Sequence, residues 1–413
     1  MRIFVCELKK LWNWRILALI AAIATLTWFA FLSEALRSYD SLTTHGIYGS
    51  YQNEMFALYG DTLEPEELAD YDIPGKKVAL ISKMDEIISN ETIFTENNIY
   101  SYADYEVFAD NGYSSDLSEE EKEIFNDTIS TMQSKLDFSN STQTLDEWYA
   151  SPLIRLQTLK ALERTYNDYE ASLRSYIDHD SRPVVVHTAE KLMQMRNANL
   201  IRYDLDMEFS LYTAVVGVFT VVSVIILIAP LLTTDRMRKV NLMQYSSTIG
   251  RTIFRLQFAA TIVSALVLSI LLIVAAYIPF LAAGAGNYWD SHIMSLNSWG
   301  MQLYNITFGQ YTLILAGMII TLSVGTACFA FILARFSANI VMMLIKAVPV
   351  GVAVAGIAVL SVNKALSDNN IVFNTIFHGR FNVPEVILCG FVAVVGLIVA
   401  VIISIREKRI DVA

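Results

Sequence analysis

The side chains that could do chemistry are few and dispersed. Five histidines, His45, His179, His187, His292 and His378, share no spacing that would gather them around a metal ion. Asp178-His179-Asp180 has donor types suited to a cation, but it stands at the end of a helical pattern, where a solvated turn explains it more simply. The chain contains no Gly-x-x-x-x-Gly-Lys-Ser/Thr phosphate loop, no His-Glu-x-x-His and no Gly-x-Ser-x-Gly. The sequence therefore predicts no catalytic residues and no cofactor or metal held by this chain.

Two features with functional weight remain. Lys346 is the one charge deep in an apolar run, with Pro349 one turn further on. A charge at mid-bilayer costs roughly 3 kcal/mol on insertion scales, so Lys346 is a candidate for a translocation path. The competing reading is that it snorkels to headgroups about two turns away. Pro349 would free a backbone carbonyl, which a bundle interior or a polar path can tolerate. The second feature is the polar loop Thr233–Arg255, where Arg236, Arg238, Lys239, Arg251 and Arg255 face the single acid Asp235. Val240–Tyr245 has the composition of a short helix along a membrane, and Ser246-Ser247-Thr248-Ile249-Gly250-Arg251 leads back into apolar sequence. Such a loop suits docking to a soluble partner, and its bases would equally hold it against anionic headgroups.

The elements that position this loop are long apolar runs. Leu211–Leu232 is 22 residues without a charge and Leu256–Ala283 is another 28. A helix needs about 20 apolar residues to cross a bilayer, so both read as spanning helices. Ile16–Leu32, Tyr311–Ala334, Ile340–Ser361 and Pro384–Ile405 complete a set of six. The segments assigned inside hold 13 bases, against only Lys364 and Arg380 in the two short outer loops. That asymmetry places both termini in the cytoplasm. Ile16–Leu32 is longer than a signal-peptide core and ends in Trp28, Phe29, Phe31 and Leu32, so it reads as a retained anchor. Before it, Phe4, Leu8 and Leu11 recur at helical spacing, with Lys9 and Lys10 largely off the stripe. This predicts an amphipathic interfacial helix; a disordered basic start is the alternative.

Charge separates the remainder. Hydrophobic residues make up 54% of the chain and charged ones 17%, below the charged share of soluble domains. Residues 37–208 hold 33 acids and 14 bases, whereas the rest holds 8 acids and 16 bases. The reading is therefore an all-α membrane protein in three parts: 1–36 with the amphipathic helix and the first crossing, 37–208 as an acidic, mostly helical extracytoplasmic domain, and 209–413 with the other five crossings. No basic patch points to nucleic acid. Cys6, Cys328 and Cys389 all lie outside residues 37–208, so packing must hold that part together. Within it, Ser118-Glu119-Glu120-Glu121 reads as a capping box opening a helix to about Leu136. Leu159, Leu162, Tyr166, Tyr169, Leu173 and Tyr176 form a coiled-coil-like stripe that Asp178–Pro183 ends. A further pattern from Thr188 through Met193, Leu200 and Leu205 reads as a helix running on toward the second crossing. Thr43–Asp116 gives only weak signals.

This order of elements resembles the ABC-2 type transporter permeases, the membrane subunits of bacterial ATP-driven exporters. The residues carrying the resemblance are Asp235, Arg236, Arg238 and Lys239, then Leu242, then Ser246, Ser247, Thr248, Gly250 and Arg251, with one residue fewer than the family's turn between Thr248 and Gly250. The resemblance implies a plasma-membrane permease working as a pair, with a second copy or a related permease subunit. A separate ABC ATPase subunit, which would bind the ATP, would dock on loop 233–251. The substrate would be hydrophobic or amphipathic, such as a peptide, an antibiotic or a lipid. Two other classes stay open: an antimicrobial-peptide sensing or immunity module whose acidic outer domain captures the peptide, and a membrane enzyme or scaffold without an ATPase.

Overall fold

The computed structural model describes residues 2–44, 49–111, 118–139, 145–195, 198–200, 205–237, 250–297 and 300–407. It is dominated by helix, and six helices are long and apolar enough to cross a membrane: Trp14–Arg37, Leu205–Asp235, Ile253–Ala282, Phe308–Arg335, Ile340–Val362 and Pro384–Arg406. A chain that crosses lipid must satisfy its backbone internally, and unbroken helices do this. The six runs read from composition are compatible with a multi-pass membrane protein. The first helix passes through a π turn at Trp28–Leu32, and the third contains Pro279 and runs to Ala282.

Contacts divide the chain into two units: Met1–Arg37 with Ser181–Thr188 and Asp204–Ala413, and Ser38–Asp180 with Ala189–Tyr203. In the six-helix unit the second and fourth spans form the core. The second is 65% buried within this chain, whereas the first is only 11% buried. Phe209 ties three spans together, its ring 4.9 Å from Tyr277 and 5.2 Å from both Phe280 and Phe308. The Tyr212 hydroxyl donates to the Ala276 carbonyl at 2.6 Å. The fourth and sixth spans approach closely where Gly325 faces Gly396. A Cβ on Gly396 would stand 3.1 Å from the Gly325 carbonyl oxygen, so small residues set this spacing.

The second unit packs short helices around one apolar core that includes Met55, Met84, Phe94, Leu156 and Leu159. Helix Ile73–Asn90 lies against helix Pro152–Asn167. The predicted capping box is present, with the Ser118 amide donating to Glu121 Oε2 at 2.9 Å at the start of helix Glu119–Leu136. Three readings change. The 159–176 stripe is not one helix: it breaks at Asp168 into Pro152–Asn167 and Tyr169–His179, though Leu159, Leu162 and Leu173 are all buried. The pattern after Thr188 does not run into the second span. Helix Pro183–Met195 ends, and Ala198–Asn199 pairs antiparallel with Thr62–Leu63. The weakly patterned region contains the helices Gly49–Tyr59, Pro65–Asp70, Ile73–Asn90, Thr92–Glu96 and Tyr102–Asn111.

Candidate functional site

The amino-terminal helix Arg2–Leu11 packs on the third span, with Leu11 against Ala260 and Phe4, Leu8 and Trp12 alongside. The Trp12 indole N–H donates to Ser264 Oγ at 3.0 Å. Asn13 then caps the first span by accepting the Arg15 amide at 3.0 Å. Between the amino-terminal helix and the spans lies a polar cluster. Lys10 Nζ donates to Glu7 at 2.8 Å and to Asp235 at 3.2 Å. The Gln257 side-chain amide donates to Asp235 at 2.9 Å and to Glu7 at 3.2 Å. Glu7, Asp235 and Gln257 are all buried. Burial opposes the Lys10 charge, but the Glu7 hydrogen bond and the charges of Asp235 and Glu7 outweigh it and hold its pKa above the ordinary lysine value. Two acids, one ammonium and one amide thus bind the amino-terminal helix to both helices that flank the basic loop.

Of the loop residues singled out in the sequence, Asp235 is in this cluster. Arg236 lies in helix Pro230–Met237, and Gly250 and Arg251 open helix Gly250–Ala282. Arg238, Lys239, Leu242, Ser246, Ser247 and Thr248, with the short helix predicted over 240–245, lie outside the described residues. Lys346 and Pro349 fall on a side of the fifth span that this chain leaves exposed. Lys346 Nζ donates to the Phe336 carbonyl at 2.9 Å, capping the end of the fourth span.

Sequence reasoning missed Glu7, Lys10 and Gln257 as a group. The readable signal was Glu7 itself, which falls on the same helical face as Phe4, Leu8 and Leu11. It also missed a second polar set at the opposite ends of the spans. There Asp206 accepts from Gln302, and Glu385 accepts the Leu366 amide at 2.7 Å. Asp368 accepts the Met301 amide at 2.7 Å and lies 3.7 Å from the Arg182 guanidinium. Asn370 turns the chain after the fifth span: its amide nitrogen donates to the carbonyls of Leu360, Ser361 and Asn363, and its oxygen accepts from Val372 and Phe373. Asp206 and Glu385 stand in the first turns of their helices, where the macrodipole favours an acid.

Among the described residues, no group of three or more His, Cys, Asp or Glu side chains could hold a metal ion. What the geometry offers is mechanical: helix ends joined by buried hydrogen bonds. Compared with known proteins, the chain matches no family model, no curated protein and no solved structure.

Proposed function

We propose that this chain is the permease subunit of an ATP-driven exporter of the ABC-2 kind, moving a hydrophobic or amphipathic substrate across a bacterial plasma membrane. The basic loop 233–251 would seat a separate ATPase, and a second copy or a related subunit would complete the pathway. Both termini would face the cytoplasm, with the acidic domain outside. The observation that carries this reading is the Glu7–Lys10–Asp235–Gln257 cluster. It fastens the amino-terminal helix to the helices entering and leaving the loop, so a push on the loop would move three elements together.

A mild-detergent pull-down of the intact chain tests the proposal. A stoichiometric co-purifying subunit that hydrolyses ATP is the expected result, and replacing Arg236 and Arg238 together should loosen it. A well-folded protein that brings down no ATPase would overturn the reading. The acidic outer unit favours a second one, capture of a cationic peptide for sensing or immunity. Peptide binding indifferent to salt would count against electrostatic capture.

A further inference from the structure

The unit formed by Ser38–Asp180 and Ala189–Tyr203 holds a half-open cavity of about 420 Å³, within the range of small-molecule sites. It lies where three backbone breaks come together. These are the interruption at Asp168, the ribbon pairing Thr62–Leu63 with Ala198–Asn199, and the end of helix Pro183–Met195. A continuous helix through Asp168 would carry the chain differently past this space. The floor is apolar. Leu63, Leu173 and Leu192 are buried, and Leu68 and Met193 are half-buried beside them. Tyr166 adds a ring whose hydroxyl, chiefly through burial, is pushed up to about 12, so it is neutral at physiological pH.

Among the described residues that line the cavity the charged ones are Glu64 and Glu170, with no lysine or arginine. Residues 61–72 alone hold six acids and no base. The unit as a whole holds 30 acids and 12 bases. Glu170 pairs with Arg174 at 2.6 Å, but both side chains are about two-thirds exposed, and such an i,i+4 pair is given up at little cost.

We propose that this cavity binds an amphipathic amine, its apolar body seated on the leucines, Met193 and Tyr166 and its ammonium facing Glu64 and Glu170. A neutral molecule of the same shape would fill the floor without using the field at the rim, and an anion would be repelled by it. The site rests on this unit alone and needs no assignment of the six-helix unit, so its failure would leave the ATPase question untouched.

The test uses the full chain in lipid nanodiscs, titrated calorimetrically with octylamine, octanol and octanoate, with empty nanodiscs subtracted to remove partition into lipid. Octylamine should bind saturably, about five- to tenfold tighter than octanol, as two partly exposed carboxylates would give. Octanoate should not bind. Raising the salt from about 50 to about 500 mM should weaken octylamine and leave octanol unchanged. Glu64→Gln combined with Glu170→Gln should bring octylamine to the octanol level, while Glu123→Gln, on helix Glu119–Leu136, should change nothing. Leu68→Trp narrows the apolar floor and should weaken binding of both alike while the thermal melt stays in place. No saturable binding above empty nanodiscs, equal affinity for octylamine and octanol, or a folded Leu68→Trp variant that binds both as tightly as the parent would each overturn the site.

Discussion

Lys10 and Asp235, 225 residues apart in sequence, meet at 3.2 Å, and Gln257 donates to the same carboxylate from the far side of the basic loop. A buried acid between a lysine and an amide is held by what surrounds it. Glu7 beside it doubles the negative charge, so Lys10 is the group that makes both acids tolerable.

Lys10→Met should therefore destabilise more than Asp235→Asn. Removing one side of a buried pair costs several kcal/mol, but Lys10 is 41% exposed, which reduces the expected loss to about 1–2 kcal/mol. Asp235→Asn keeps the shape and leaves Glu7 with Lys10, at a cost of about 1 kcal/mol or less. Thermal melts in mild detergent give the order; the reverse order would show that the acids do not depend on Lys10.

How much of this was legible in the sequence follows from what each element needs. A spanning helix needs only length and apolarity, so all six could be read, and the Ser118 capping box is a local pattern that needs no tertiary information. The break at Asp168 was hidden because Leu173 remains buried across it, so the heptad-like stripe reads the same with or without the interruption. The helices between Gly49 and Asn111 are held by the shared core around Met55, Met84 and Phe94 rather than by long faces of their own. Asp206 and Glu385 could not be singled out, because sequence does not separate an acid at a helix start from one that is also buried. Glu7 was legible as an acid on an apolar stripe, and its partner Gln257 was not, since a lone glutamine in an apolar run names no partner.

Arg182 should be intolerant of lysine. Its Nη1 donates to the Asp368 carbonyl at 3.4 Å and to Asn374 Oδ1 at 3.1 Å, and the guanidinium lies 5.1 Å from the centre of the Phe373 ring. A planar fork that stacks and spreads over several acceptors is not reproduced by an ammonium. Asp368 is buried beside it, so Arg182→Gln should cost about 2–3 kcal/mol and Arg182→Lys at least half of that. Melts of the three proteins decide, and a lysine variant as stable as the parent would reduce the contact to simple charge.

Glu54 should make the acidic unit sensitive to low pH. Burial alone would raise its pKa, but the Lys76 hydrogen bond at 2.8 Å, the Tyr71 hydroxyl at 2.6 Å and the charge of Lys76 hold it below the ordinary glutamate value of 4.5. A carboxyl depressed by folding stabilises the fold above its unfolded pKa, and that contribution disappears as pH falls through the folded value. Amide exchange in helices Gly49–Tyr59 and Ile73–Asn90 should accelerate below about pH 4.5, and Glu54→Gln should flatten that acid limb while lowering protection at neutral pH. An unchanged acid limb in the variant would assign the pH dependence to other carboxylates.

Lys346 is the sharpest test of whether a lone charge in an apolar helix belongs to a path or to an interface. Its Nζ donates to the Phe336 carbonyl, at the turn joining the fourth and fifth spans, which is where a snorkelling lysine ends. Lys346→Arg can reach the same acceptor and should melt with the parent. Lys346→Met removes the donor and should cost about 0.5–1.5 kcal/mol, the worth of one such hydrogen bond. In the permease proposed above, substrate transport in liposomes should stay within about twofold for both variants, since an interfacial anchor contributes nothing to the barrier along the path. A folded Lys346→Met protein with transport down more than about tenfold would instead place the ammonium on the route.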